Sequence, residues 1–114
     1  MAFINGALIA VPTANKQKYL DMAAQMAQFF KSKGALRCVE CWGSDVADGK
    51  LTSMPMAVQK KDDETVVFAW IEWPDKQTAD AAMAEMMSGG APSSPMPFDG
   101  NRMIFGGFEK ILDA

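Results

Sequence analysis

The chain has 114 residues, 49% of them hydrophobic and 22% charged, with Lys+Arg 11 against Asp+Glu 14 for a net charge of −3, which suits one globular domain over residues 1–114. It contains no histidine, and this removes the commonest general base near neutral pH, any Ser-His or Cys-His nucleophile pair, and the usual nitrogen ligand of zinc, copper or haem iron. A mildly acidic chain with no Lys/Arg cluster also lacks the footprint through which proteins hold phosphate backbones, so nucleic acid is not an expected partner.

Residues 3–11 are apolar on both parities (Phe3, Ala7, Ile9 and Val11; Ile4, Leu8 and Ala10), as in a strand covered on both faces. No basic residue precedes this stretch, the first being Lys16, so a strand is expected rather than an export signal. Asn5, Gly6, Pro12, Thr13 and Asn15 interrupt the charge-free start, which falls short of the roughly 20 apolar residues that span a membrane. No membrane association is expected. Two cysteines and ten methionines without an export signal make the reducing cytoplasm the expected compartment.

From Asn15 to Lys33 a stripe of Tyr19, Met22, Ala23, Met26, Phe29 and Phe30 predicts an amphipathic helix stopped by Gly34, with Thr13 or Asn15 as its cap. Ala35 to Trp42 predicts a second strand, with Leu36, Cys38, Glu40 and Trp42 on one side and Arg37, Val39 and Cys41 on the other. A turn-rich acidic loop follows over 43–49, and residues 51–59, where Pro55 permits either a short helix or an edge strand, are taken as irregular. Lys60 to Glu64 is a solvated turn, Thr65 to Trp73 the clearest strand, and Asp75 to about Ser88 a second helix ended by Gly89-Gly90. Residues 89–97 form a proline-rich loop; Arg102 to Leu112 is a last strand whose Gly106-Gly107 pair suggests a bulge or a close backbone approach.

Strand, helix, strand, strand, helix, strand is the ferredoxin-like βαββαβ order of an α+β domain, a four-stranded antiparallel sheet with both helices on one face. The other face is apolar too. A second copy covers it most economically, so the chain is expected to be a homodimer that closes a dimeric α/β barrel.

Cys38-Val-Glu-Cys41 matches C-x-x-C, but inside a strand it sends the thiols to opposite faces with α-carbons about 10 Å apart, too far for a disulfide. Two small buried hydrophobes is the plainer reading. The aromatic set Trp42, Phe68, Trp70 and Trp73 fits either a flat-ligand pocket or core and dimer contact, and core packing is the preferred reading for it and for the methionines. Glu40 is more informative. It falls between Cys38 and Trp42 on an apolar strand face, where a carboxylate is paired or raised in pKa; Arg37 and Arg102 are its candidate partners. Asp45 and Asp48 supply further oxygens in the acidic loop, but their spacing matches no calcium loop, and no metal site is expected. No phosphate-cradling glycine loop is present.

The segments Gly34-Ala-Leu-Arg37, Val39-Glu-Cys-Trp-Gly43, Asp48-Gly-Lys50, Trp70-Ile-Glu-Trp-Pro74 and Met96-Pro-Phe-Asp-Gly100 through Phe108 resemble the YbaA-like bacterial domain of unknown function, and the match runs in order along nearly the whole chain. The resemblance implies a ferredoxin-like monomer of the dimeric α/β-barrel superfamily, which includes cofactor-independent monooxygenases, haem-degrading enzymes, muconolactone-isomerase-like enzymes and ligand-sensing domains. It implies no particular reaction. Three functions stay open. The first is a small-molecule-binding dimer without a cofactor, using Arg37, Glu40, Trp42 and Arg102 with Asp45 and Asp48 in a lid. The second is a cofactor-free oxygenase or isomerase, in which Asn5, Glu40 or Asp45 supplies the polar group; the third is a dimeric interaction module without catalysis.

Overall fold

A computed structural model of the chain describes residues 2–90 and 96–114. Its strands are β1 (Phe3–Pro12), β2 (Arg37–Trp42), β3 (Glu64–Trp73) and β4 (Ile104–Glu109), and its α-helices are α1 (Lys16–Ser32), α2 (Met54–Ala57) and α3 (Lys76–Met87). The sheet is antiparallel throughout, in the order β2-β3-β1-β4. This is the ferredoxin-like α+β fold expected from the element order.

Side-chain alternation along a strand turns that register into two faces. The pairs Ile9↔Val67, Glu40↔Ala69, Trp42↔Val67 and Ala7↔Phe105 put these residues on the side that carries α1. Ile9, Val11, Val67 and Ala69 pack there against Tyr19 and Ala23 of α1. Further along the sheet, Phe29 and Phe30 of α1 meet Ala79 and Ala82 of α3 around Trp73, which is wholly buried. The apolar stripe of α1 and that of α3 therefore do what their spacing requires. Gly34 takes φ 107° just past α1, a conformation costly for any residue with a Cβ. At the start of α3 the Asp75 carboxylate accepts from the Thr78 amide.

The opposite face carries no long helix. It presents Ile4, Leu8, Val39, Cys41, Phe68, Trp70, Ile104 and Phe108, and only one end, at Leu8, Ala10 and Val66, is covered, by Val58 just after α2. A glycine pair, Gly6↔Gly106, flattens the middle: Phe108 lies across both, 3.4 Å from where a Cβ would stand on either. On the helix face Gly107 lets the Phe3 ring lie where a Cβ would otherwise stand. The ladder between β1 and β4 is unbroken there, so of the two readings of Gly106-Gly107 the structure bears out close approach and not a bulge.

Three expectations need correction. Residues 54–57 form a short helix, because the Ser53 hydroxyl accepts from the Met56 amide and Pro55 sits in the first turn, where no amide is needed. The last strand begins at Ile104, since Gly100–Arg102 is a 3-10 turn pinned by the Asp99 side chain, and it ends at Glu109. Neither Thr13 nor Asn15 caps α1 with its side chain. The Thr13 hydroxyl bonds Thr65, and the Asn15 amide donates to the Pro97 carbonyl. Of the proline-rich loop, residues 91–95 lie outside the described residues.

Candidate functional site

Glu40 projects from edge strand β2 onto the helix face, in register with Ala69. The residue as a whole stays exposed at the sheet edge. The expectation of Arg37 or Arg102 as its partner is corrected: the Tyr19 hydroxyl of α1 donates to its Oε1 across 2.5 Å. Tyr19 is 2% exposed, and burial, then the nearby Glu40, raises its pKa far above the ordinary value, so the phenol stays protonated and donates. Burial raises the Glu40 carboxyl as well, and the Tyr19 hydrogen bond acts in the opposite direction without cancelling it. The result is a carboxyl held by a neutral donor, with no cation as its hydrogen-bond partner among the described residues.

The surroundings are apolar and aromatic. The Phe98 ring lies 5.9 Å from that of Tyr19, tilted by 56°, while Met22, Trp42, Phe98 and Met103 are only partly buried against this part of the core. Lys16 places its ammonium 5.4 Å from the centre of the Trp42 ring, within cation–π range. The region thus brings together aromatic rings, the Lys16 ammonium and a carboxyl raised by burial. Asn5, also on the helix face, is engaged: its Oδ1 accepts from the Trp73 indole N–H at 2.8 Å.

The other candidates lie elsewhere. Arg37 is exposed on the open face, opposite Glu72 in the ladder. Asp45 and Asp48 are exposed in the loop after β2, and no group of three or more His, Cys, Asp or Glu able to hold a metal occurs among the described residues. Arg102 belongs to a clasp of its own. Its guanidinium makes a two-pronged pair with Glu64, Nη1 to Oε1 at 2.7 Å and Nη2 to Oε2 at 2.6 Å, and also donates to Asp99 Oδ2 at 3.0 Å and the Gln59 carbonyl at 2.8 Å. Gln59 sits there at φ 50°. Glu64 is 6% exposed, and Arg102 holds its carboxyl down to about 2. Arg102 thus ties the turn before β4 to β3 and to the segment after α2. The clasp and the Tyr19–Glu40 pair are separate, and of the six candidate residues only Glu40 and Trp42 share the helix face.

Of the four aromatics considered together, Trp42 and Trp73 face the helices, whereas Phe68 and Trp70 face the open side, their rings 5.5 Å apart. They do not form one wall. Cys38 and Cys41 are free and on opposite faces. A depression of about 450 Å3 bounded by Ala2, Phe3, Asp75, Lys76 and Glu109 lies at the other end of β1, where no candidate was expected. Tyr19 was legible only as an apolar-stripe residue; the signal that points to its role is that a buried tyrosine hydroxyl needs a partner.

Comparison with known proteins places the chain in a family. Two solved structures share the fold: a dimeric ferredoxin-like protein from an uncultured marine organism, at TM-score 0.64 and 11% identity over 99% of this chain and 98% of that one, and a mutant of SnoaB, a cofactor-independent oxygenase from Streptomyces nogalater, at TM-score 0.55 and 16% identity over 98% and 95%. Identities this low speak to fold alone. No helix among the described residues is long and apolar enough to cross a membrane. The uncharacterized protein YbaA of Escherichia coli strain K12 and that of Shigella flexneri are each 52% identical to this chain over 99% of both lengths. With the family model for a protein of unknown function, DUF1428, matching residues 2–100, the chain belongs to the DUF1428 family.

Proposed function

We propose that the protein is a cytoplasmic homodimer, paired through its open sheet faces, in which each protomer binds a small organic molecule on the helix side beside Glu40, Tyr19 and Trp42 without a cofactor. One observation carries the binding reading: the Glu40 carboxyl is raised by burial and, among the described residues, is met by the Tyr19 hydroxyl alone, beside Trp42 and Lys16. A structural carboxylate on an apolar face gains most from a cation, and this one has a neutral donor instead. The favoured ligand is an aromatic alcohol, acid or ketone, whose ring meets Trp42 and whose oxygen meets the pair. For the dimer, the support is an apolar sheet face with Phe68, Ile104 and Phe108 at 45%, 43% and 59% exposure, together with a dimeric neighbour of the same fold.

Melting-temperature screening of a panel of aromatic alcohols, acids and ketones tests the binding reading. At least one compound should stabilise the wild-type chain and lose its effect in both Tyr19→Phe and Glu40→Gln. A panel whose stabilising compounds all keep their effect in both variants contradicts the site.

The raised carboxyl also favours a second reading, in which Glu40 is a proton acceptor. A proton passed from a carbon acid to the Glu40 carboxylate and returned to a different carbon is an isomerisation that needs no outside reactant. Reaction of the same carbanion with dioxygen is the oxygenase alternative. Turnover by either route should rise as pH passes upward through the raised Glu40 pKa, and Glu40→Gln should abolish it.

A further inference from the structure

The last residues of the chain are held in place and yet bury little of their own apolar surface. The Lys110 amide donates to the Ala2 carbonyl at 3.1 Å, prolonging the β1–β4 pairing by one step. Its ammonium reaches across the start of β1 to Glu72 Oε2 of β3 at 2.8 Å, and it also holds Asp113 Oδ2 at 2.9 Å. Asp113 in turn feels the positive charge of Arg37 at the β2 edge. Lys110, Glu72 and Arg37 all lie on the open face, so the tail runs along one end of that face from β4 past β1 and β3 towards β2. The ion pair from Lys110 to Asp113 spans two residues, Ile111 and Leu112, which stand 85% and 81% exposed.

Ordering a terminal segment costs conformational entropy. Salt bridges between partly exposed groups return little of it, and within this chain the two aliphatic side chains return little more. A surface outside the chain must supply the rest. The same chain offers both halves of a contact, a protruding aliphatic pair and, beside it, a flat apolar face bearing Phe68, Ile104 and Phe108. A two-fold axis presents each copy's tail to the other copy, which is the self-complementarity an isologous interface requires. The alternation of Arg37, Glu72, Lys110 and Asp113 along the rim gives that contact a polar border around an apolar centre. We infer that Ile111 and Leu112 form a latch, fixed by Lys110, that docks on the open sheet face of a second copy of this chain. The latch rests on the homodimer proposed above.

Sedimentation over a concentration series, with the full-length wild type and the double variant Ile111→Asp/Leu112→Asp, tests it. The wild type should sediment at twice 12.4 kDa, and the double variant, with an unchanged circular-dichroism spectrum, should weaken dimerisation by about 30-fold or more, as loss of an interface hot spot does. A wild-type dimer that the double variant reproduces at equal strength overturns the latch and leaves the dimer standing. A wild type that is monomeric throughout overturns the dimer itself and the latch with it. A photo-cross-linking amino acid in place of Leu112 gives a second measure: mixed isotopically distinct protomers should yield a product joining two chains at an open-face strand, and cross-links confined to one chain would overturn the latch.

Discussion

Two glutamates, each within a strand and each tied to another element, have opposite chemistry. Glu64 is buried, gripped by both prongs of Arg102, and held down to about 2. Glu40 has a phenol for a partner and is raised. The difference teaches which of the two is committed to holding the fold. A charge pair with all its hydrogen bonds made has no capacity left for a ligand, and removing one member leaves the other stranded. A carboxyl met by one neutral hydroxyl keeps acceptor capacity to spare, and the cost of its own ionisation is only partly relieved.

The largest effect separating the two sites should come from Arg102→Met, which strands the Glu64 carboxylate and should lower the denaturant midpoint more than either Tyr19→Phe or Glu40→Gln does. An unchanged midpoint would falsify the clasp. Tyr19→Phe should cost only about 1 kcal/mol, the net worth of one hydrogen bond whose acceptor can turn to water. Glu40→Gln should cost less than that at neutral pH, because the amide oxygen still accepts from Tyr19 and the burden of a partly desolvated charge disappears.

The same two glutamates should leave opposite marks on stability against pH. Glu64 has a folded pKa of about 2 against an ordinary 4.5, so its contribution is complete above 4.5 and is lost as pH falls towards 2. Glu64→Gln should therefore flatten the acid limb of the stability curve. Glu40 has a folded pKa above 4.5, so its contribution is complete below 4.5 and is lost as pH rises through the raised value. Relative to wild type, Glu40→Gln should gain stability between mildly acid and neutral pH. Equal slopes for the two variants would erase the contrast. The smallest expected effect is none at all: mild diamide oxidation of the native protein should give no bond between Cys38 and Cys41, which sit on opposite faces of β2.

How much of this could be read in advance follows from the range of each interaction. The strands, the two long helices and their apolar stripes depend on local periodicity and on stops such as Gly34 and Pro74, and those are written in neighbouring residues. The face of Glu40 was equally legible, since parity within β2 sets it. Its partner was not, because Tyr19 is 21 residues earlier and meets Glu40 only once α1 lies on the sheet. Arg102 misled for a related reason. The 3-10 turn at Gly100–Arg102 decides its direction, and the Asp99 side chain that makes the turn also helps to occupy the guanidinium. The short helix at 54–57 depends on the Ser53 cap, a single hydrogen bond too local to leave a periodic trace.

Carbon NMR of glutamate side-chain carboxyls, titrated from about pH 2 to 8, reads both groups in one spectrum of the native protein. Glu64 should titrate near 2, and Glu40 above the ordinary 4.5, moving higher still in Tyr19→Phe, where the hydrogen bond that lowers it is gone. A Glu40 carboxyl that titrates at or below 4.5 would contradict the account, since it would then be an ordinary solvated or ion-paired side chain and not the poised acceptor on which the proposed site rests.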